Sequence, residues 1–224
     1  MTRFVYIVGN FSQNDDIELR YSLRSVAKHH KKYHVTIVGW KPSWCEPDLF
    51  IPCKDKHGMK AYNTFNKLLT ATEQIESGLH VLMCDDFILL EPHLHRMYFY
   101  DTLLNRANSG TFYGKNLFKN TLRLVQRGAK CFDVHMPFSF QSDLMRTVLT
   151  RNKANLGTIG ISYQSLYADT DTQLPIEHHM NAKVGRLIAK PNYKAVSLSD
   201  SALHQGRNAW LDLYLYKKSR FEKD

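Results

Sequence analysis

Apolar residues come in short, sharply bounded runs along the first half of this chain. Phe4-Val5-Tyr6-Ile7-Val8 is β-branched and aromatic, stops at Gly9-Asn10, and reads as a strand followed by a turn. Asn14-Asp15-Asp16-Ile17-Glu18 supplies a polar N-cap cluster with acidic residues in the first turn of a helix. That helix carries Leu19, Leu23 and Val26 at helical spacing and ends in the positive charge of His29 to Lys32. Val35-Thr36-Ile37-Val38-Gly39 is a second strand, and the three prolines of 40–53 predict a loop carrying aromatic side chains. Phe65, Leu68, Leu69 and Thr72 predict a helix over 63–75, and Leu79-His80-Val81-Leu82-Met83 is a further buried strand. Strand, helix, strand, loop, helix, strand is the rhythm of a parallel sheet with right-handed crossovers.

The second half is less regular. Helices are predicted over 93–104 and 116–126, separated by Ser109-Gly110-Thr111, and a short strand over 131–134 leads into His135-Met136-Pro137-Phe138. A helix is expected over 143–150, 157–167 is mixed, and the tail from Ser197 is polar until Trp210-Leu211-Asp212-Leu213-Tyr214. The expected fold class is α/β, a mostly parallel nucleotide-binding sheet flanked by helices with an irregular C-terminal half. At 224 residues the chain suits one domain. Residues 1–105 form the half expected to bind ligand and metal, and 106–224 the remainder. No GxGxxG follows the first strand and there is no Walker lysine, which disfavours a dinucleotide oxidoreductase or a P-loop NTPase.

Against this pattern Cys84-Asp85-Asp86-Phe87 stands out, because two carboxylates interrupt two apolar runs, 79–83 and Ile88-Leu89-Leu90. Desolvating them costs several kcal/mol each unless something pairs with them. A divalent cation at the carboxyl end of the strand would supply that pairing, where α/β sheets bind their ligands. Taken alone, the pair equally suits a polar turn with surface carboxylates.

Charge and cysteine usage narrow the setting. The formal net charge of +9 gives an attractive field toward polyanions, whether nucleic acid, nucleotide, phosphorylated glycan or anionic membrane. Cys45, Cys53, Cys84 and Cys131 are widely spaced and contain no CxxC pair, so reduced thiols and a cytoplasmic setting are expected. Neither a signal-peptide core nor a membrane-length apolar run is present, and no stable membrane insertion is expected.

Three further groups could carry chemistry. Glu18, Arg20 and Arg24 lie on the opening helix, and the two arginines share a face that suits diphosphate recognition or, more ordinarily, solvent and nearby carboxylates. His135 could act as a base or a ligand with Asp133 orienting it from the same strand face, or both could be structural. Asp200 and His204 precede Gly206-Arg207. A late histidine returning to a metal begun by Asp86 is one reading, and a polar surface loop is the other.

Taken together, these segments resemble a known family. Residues Asp15 to Val26, DDIELRYSLRSV, resemble the opening signature of the Stealth family of sugar-phosphate transferases. They also resemble a group of short bacterial and bacteriophage glycosyltransferase-like proteins. Pro42-Ser43-Trp44, Asn63-Thr64-Phe65-Asn66-Lys67, Asp133-Val134-His135-Met136-Pro137-Phe138, Ser165-Leu166-Tyr167 and 217–223 match in order. Cys84 stands where the family has Asn, and Ala168 departs from its Gly-Asn.

The resemblance implies a GT-A-like fold and a nucleoside-diphosphate-sugar donor, with a UDP-sugar favoured. Stealth membership implies transfer of sugar-1-phosphate; the short proteins imply transfer of the sugar alone. In this reading Asp86, helped by Asp85 and His204, holds Mg²⁺ or Mn²⁺ on the donor diphosphate. Arg20, Arg24 and Glu18 line the donor site, and His135 with Asp133 activates or orients the acceptor hydroxyl. The charge and the bacteriophage resemblance together suggest DNA bearing hydroxymethylated or glycosylated bases as acceptor, in the host cytoplasm for a phage-encoded chain. A surface-polysaccharide precursor is the competitor. A non-catalytic nucleic-acid-binding protein on the same fold is the alternative from another class.

Overall fold

Alternation along the first strand decides which helix covers which face. Phe4, Tyr6 and Val8 of β1 (Thr2–Val8) pack with Leu19, Leu23 and Val26 of α1 (Ile17–His29). Val5 and Ile7 pack on the opposite face with Phe65, Leu68 and Leu69 of α2 (Lys60–Gln74). A strand buried on both faces must be apolar throughout, and this is why 4–8 is a continuous run. The computed structural model describes residues 1–9, 16–126, 128–170, 173–180, 183–184, 191–199 and 209–223.

The first half completes the sheet with β2 (Tyr33–Gly39), β3 (Leu49–Pro52) and β4 (Leu79–Cys84), then β5 (Phe87–Leu89). The remaining elements are β6 (Met97–Phe99), β7 (Asp101–Thr102), α3 (Leu103–Asn108), α4 (Phe112–Leu122), β8 (Lys130–Cys131), β9 (Phe138–Gln141), α5 (Ser142–Asn152), α6 (Tyr163–Ala168), β10 (Ile176–His178), β11 (Lys183–Val184), β12 (Ala195–Leu198) and α7 (Ala209–Tyr214). The central sheet has order β3-β2-β1-β4-β9, parallel except for the β4–β9 pair. The order reverses direction between β1 and β4, which opens a crevice at their carboxyl ends. A smaller sheet, β11-β12-β5, begins directly after the two carboxylates.

The mostly parallel α/β expectation is met, with three local corrections. The loop over 40–53 contains β3. It is an edge strand whose Pro52 lies at its end opposite Gly39, where a missing N–H is tolerated. The helix over 93–104 is replaced by β6 and β7, and only α3 is helical. His95 at φ 51 interrupts the segment, and β6 pairs with β10 from far along the chain. The strand over 131–134 shortens to β8, so Asp133 and His135 do not share a strand face. They belong to a turn in which His135 takes φ 52.

Serines in α1 tie this frame together. The Ser22 hydroxyl donates to the Phe87 carbonyl, Ser25 Oγ accepts from the Leu89 N–H at 2.9 Å, and Tyr6 meets Ser22 at 3.0 Å. Both serines are fully buried, so their hydroxyls supply partners that water cannot reach. The α1 signature thereby fixes β5, the strand beginning just past Asp86.

Beneath the sheet lies a group of neutral histidines. His93 is buried, its ring Nε2 meets Ser139 Oγ at 2.8 Å, and its backbone N–H donates to His30 Nε2 at 3.2 Å. Burial first, then the nearby His95, His30 and Arg96, push it down to about 3. The unfolded chain therefore binds more protons than the fold below pH 6.5. Stability is full above that value and falls by about 1.4 kcal/mol per unit as pH drops toward 3. Urea midpoints at pH 7 and pH 5 should separate clearly, and His93→Gln should reduce the separation.

Candidate active site

At the carboxyl ends of β1 and β4 lies a cleft of about 600 Å³. Its walls include Glu18, Asp55, Lys60, Lys67, Asp85, Asp86 and Lys183. Such a volume suits a nucleotide-sized ligand.

Asp85 and Asp86 form the turn between β4 and β5, and each is half-buried. Asp86 accepts from Ser197 Oγ at 2.5 Å and faces Lys183 Nζ at 3.8 Å. Its carbonyl accepts from the Leu198 N–H at 2.9 Å, which locks the turn to β12. Burial and then the charge of Asp86 raise the Asp85 carboxyl to about 6, against the pull of Lys60. Desolvation works against the charge of Lys60, and the negative side of the cleft, Asp86 and Asp85 included, outweighs it, so Lys60 is shifted upward. Burial, followed by Asp86, pushes the Cys84 thiol far up, and it stays neutral.

This donor set fits a divalent cation. Burial and, after it, the neighbouring charge raise one of two adjacent carboxylates, and a hard cation would relieve both penalties. Among the described residues no group of three metal-ligating side chains exists. Two carboxylates therefore leave the remaining positions to phosphate and water, as Mg²⁺ and Mn²⁺ accept. His204 lies outside the described residues, as does Asp200.

Lys67 and Asp55 build the opposite wall. Lys67, only 2% exposed, donates to the Val8 carbonyl at 2.9 Å and meets Asp55 at 2.6 Å. Gly39 makes room for this: a Cβ there would lie 2.2 Å from the Val8 carbonyl, and its φ of 114 suits glycine. Asn63 shapes the adjoining loop by accepting from the Lys56 and His57 N–H groups and donating to the His57 carbonyl at 2.6 Å.

His135 does not line the cleft, yet the cleft's charges reach it. Burial lowers its pKa, Asp133 opposes that, and Lys183, Asp86 and Lys60 act at longer range. The imidazole is neutral at pH 7 and can accept a proton. Its left-handed backbone, uncommon for a non-glycine residue, is the kind of strain that collects at functional sites. Tyr113 joins this side: its hydroxyl accepts from the Ala61 N–H at 3.1 Å at the start of α2, and Asp133 and Lys60 both act on it.

The expected residues thus divide. Glu18, Asp85 and Asp86 line the cleft, and Asp133 and His135 stand within its electrostatic reach. Arg20 and Arg24 are outside its walls and hold Glu222. Arg24 Nε and Nη2 donate to its two oxygens at 2.9 and 2.7 Å, and Arg20 reaches it at 3.4 Å while stacking on Trp44. Lys60 carries no earlier signal, and Asn63, Thr64 and Lys67 belong to the family-like segment without a site role assigned to them, yet all four line the cleft. Their spacing of i, i+3, i+4 and i+7 on α2 is a polar stripe readable beside the apolar one.

No protein-family model and no curated protein matches this sequence. Solved structures do match in shape. A crystal structure of the galactosyltransferase LgtC with donor and acceptor sugar analogs superposes with a TM-score of 0.56 at 10% identity, over 96% of this chain and 94% of that chain. An active-site mutant of LgtC gives 0.55 at 8% identity over the same shares. The likeness shows a shared fold, the GT-A arrangement. No helix among the described residues is long and apolar enough to cross a membrane.

Proposed function

We propose that this chain is a nucleotide-sugar-dependent glycosyltransferase, with the donor diphosphate seated over Asp85 and Asp86. The observation that carries the reading is the adjacent carboxylate pair at the sheet's switch point, walled by Lys60 and Lys183. Asp86, with Asp85, would hold Mg²⁺ or Mn²⁺, which when bound stabilises the charge of the leaving diphosphate. His204, from outside the described residues, remains the proposed third ligand. Lys60 and Lys183 take over the phosphate-neutralising role expected of Arg20 and Arg24, which are committed to Glu222. Neutral His135, with Asp133 beside it, receives the acceptor hydroxyl's proton. Residues 1–105 thus supply most of the donor side, joined by Lys183 and His204, and the rest of 106–224 serves the acceptor.

A UDP-sugar is the favoured donor. Two transfers remain open to such a site: loss of the sugar releases the nucleoside diphosphate, whereas Stealth-type loss of sugar-1-phosphate releases the monophosphate. For the acceptor, the net charge of +9 favours DNA bearing hydroxymethylated or glycosylated bases. Asp133 and Tyr113 favour a neutral sugar hydroxyl, because they offer a phosphate chain no attraction.

A thermal-shift series with UDP-, GDP-, CDP- and ADP-sugars, each with Mn²⁺ and with EDTA, tests the reading. At a hundred times its dissociation constant the right donor adds about 2.7 kcal/mol, a rise of several degrees that EDTA abolishes. Folded protein that responds to none of them would overturn the assignment.

A further inference from the structure

A second pocket, of about 430 Å³, opens between the C-terminal half of α1 and residues 214–218. Arg24, Ala27 and Lys28 form one side, and Tyr214, Leu215, Tyr216, Lys217 and Lys218 the other. No carboxylate lines it among the described residues, whereas four line the cleft. Lys28 stands ten residues beyond Glu18 on the same helix, so the two pockets are about 15 Å apart along its axis.

Two of its cations, Lys28 and Arg24, are held in place before any ligand arrives. Lys28 Nζ donates to the Tyr214 carbonyl at 2.9 Å and sits 3.7 Å above the Tyr214 ring. The Tyr214 ring stacks on Trp210 at 4.3 Å, and its hydroxyl meets His29 Nε2 at 2.8 Å, so this ring is fully engaged. Arg24 is anchored by Glu222 and the Leu215 carbonyl. Tyr216 differs: it is 69% exposed and flanked by Lys217, whose Nζ lies 5.8 Å from the ring centre.

We propose that this pocket binds a strand of single-stranded nucleic acid, one nucleotide at a time in the cavity. Lys28, Lys217 and Lys218 neutralise the phosphates, and the open face of Tyr216 takes a base by stacking. A fixed cation at Lys28 beside exposed lysines, an exposed aromatic, and no lining carboxylate among the described residues are what sequence-tolerant strand binding uses. The volume admits a single nucleotide and excludes a duplex. This inference stands apart from the transferase reading, because it shares no residue with the cleft.

Fluorescence anisotropy of labelled oligothymidylate tests it on the full chain. Binding should weaken with salt by about 0.7 in log affinity per log salt for each phosphate engaged. Lys217→Ala/Lys218→Ala should lower affinity at least tenfold and reduce that salt dependence. Tyr216→Ala should weaken binding by about five- to a hundredfold, as expected for a lost base stack. All these side chains are exposed, so the fold and the donor-induced thermal shift should be unchanged. Competition by free uridine monophosphate but none by inorganic phosphate would support recognition of base and phosphate together. Oligothymidylate that fails to bind at low salt would overturn the proposal, as would binding indifferent to these variants. Phosphatidylglycerol vesicles that bind where the oligonucleotide does not would assign the patch to a membrane surface and overturn it equally.

Discussion

Lys67→Met is expected to lower the folding stability by about 3 kcal/mol, the low end of the cost of breaking a buried ion pair. Lys67 is almost wholly enclosed, and Asp55 keeps a side-chain exposure of 15%. The substitution takes a cation from that carboxylate and a donor from the Val8 carbonyl at once. For a chain of this size the loss corresponds to a fall in melting temperature of roughly 6–12 °C. Asp55→Leu in the same protein should restore much of it, because an apolar pair leaves no buried charge. A double variant as unstable as Lys67→Met would show that the Val8 contact, not the ion pair, carries the effect. The first strand ends at this contact, so the single variant should also loosen the cleft wall.

Asp86→Asn should abolish the metal-dependent part of donor binding and reduce transfer on the order of 100-fold or more. The amide can keep the Ser197 contact, and the backbone link to Leu198 is untouched, so the fold should be retained. Removing one of two repelling carboxylates should leave stability equal or slightly higher. A site whose stability improves as its activity disappears is one shaped for a ligand. Asp85→Asn should give a smaller loss, because Asp85 has neither Ser197 nor Lys183 to orient it. Unchanged metal-dependent donor binding in Asp86→Asn would remove this residue from the metal site.

The parallel half of the fold is legible from local pattern at β1, β2 and β4, strands that are largely buried and flanked by helices with a clear apolar stripe, whereas the half-exposed edge strand β3 is not. The 93–104 segment is not. Its backbone partners lie near residue 176, and no local period announces a strand paired across that distance. The carboxylate pair is also legible, since charge between two buried runs demands compensation. Arg20 and Arg24 teach the opposite lesson. Two arginines on one helix face signal an anion, and the anion here is the protein's own Glu222, which only the folded chain brings near. Ser22 and Ser25 read as ordinary polar positions until β5 arrives to use their hydroxyls. The α1 signature is therefore mostly architectural, and Glu18 is its contribution to the cleft.

The pairing of Arg24 with Glu222 spans 198 residues. At about 5–20 residues per second, a ribosome needs roughly 10–40 s to deliver the second partner after the first. Throughout that interval α1 can rest on β1, but its outer guanidiniums face water. Glu222, flanked by backbone bonds from Glu46 to Phe221 and from Lys223 to Trp44, closes that face once it is delivered. The nascent chain therefore passes through a stage in which the sheet is assembled while this latch is still to be made, and making it moves a single carboxylate from solvent to a fully enclosed position.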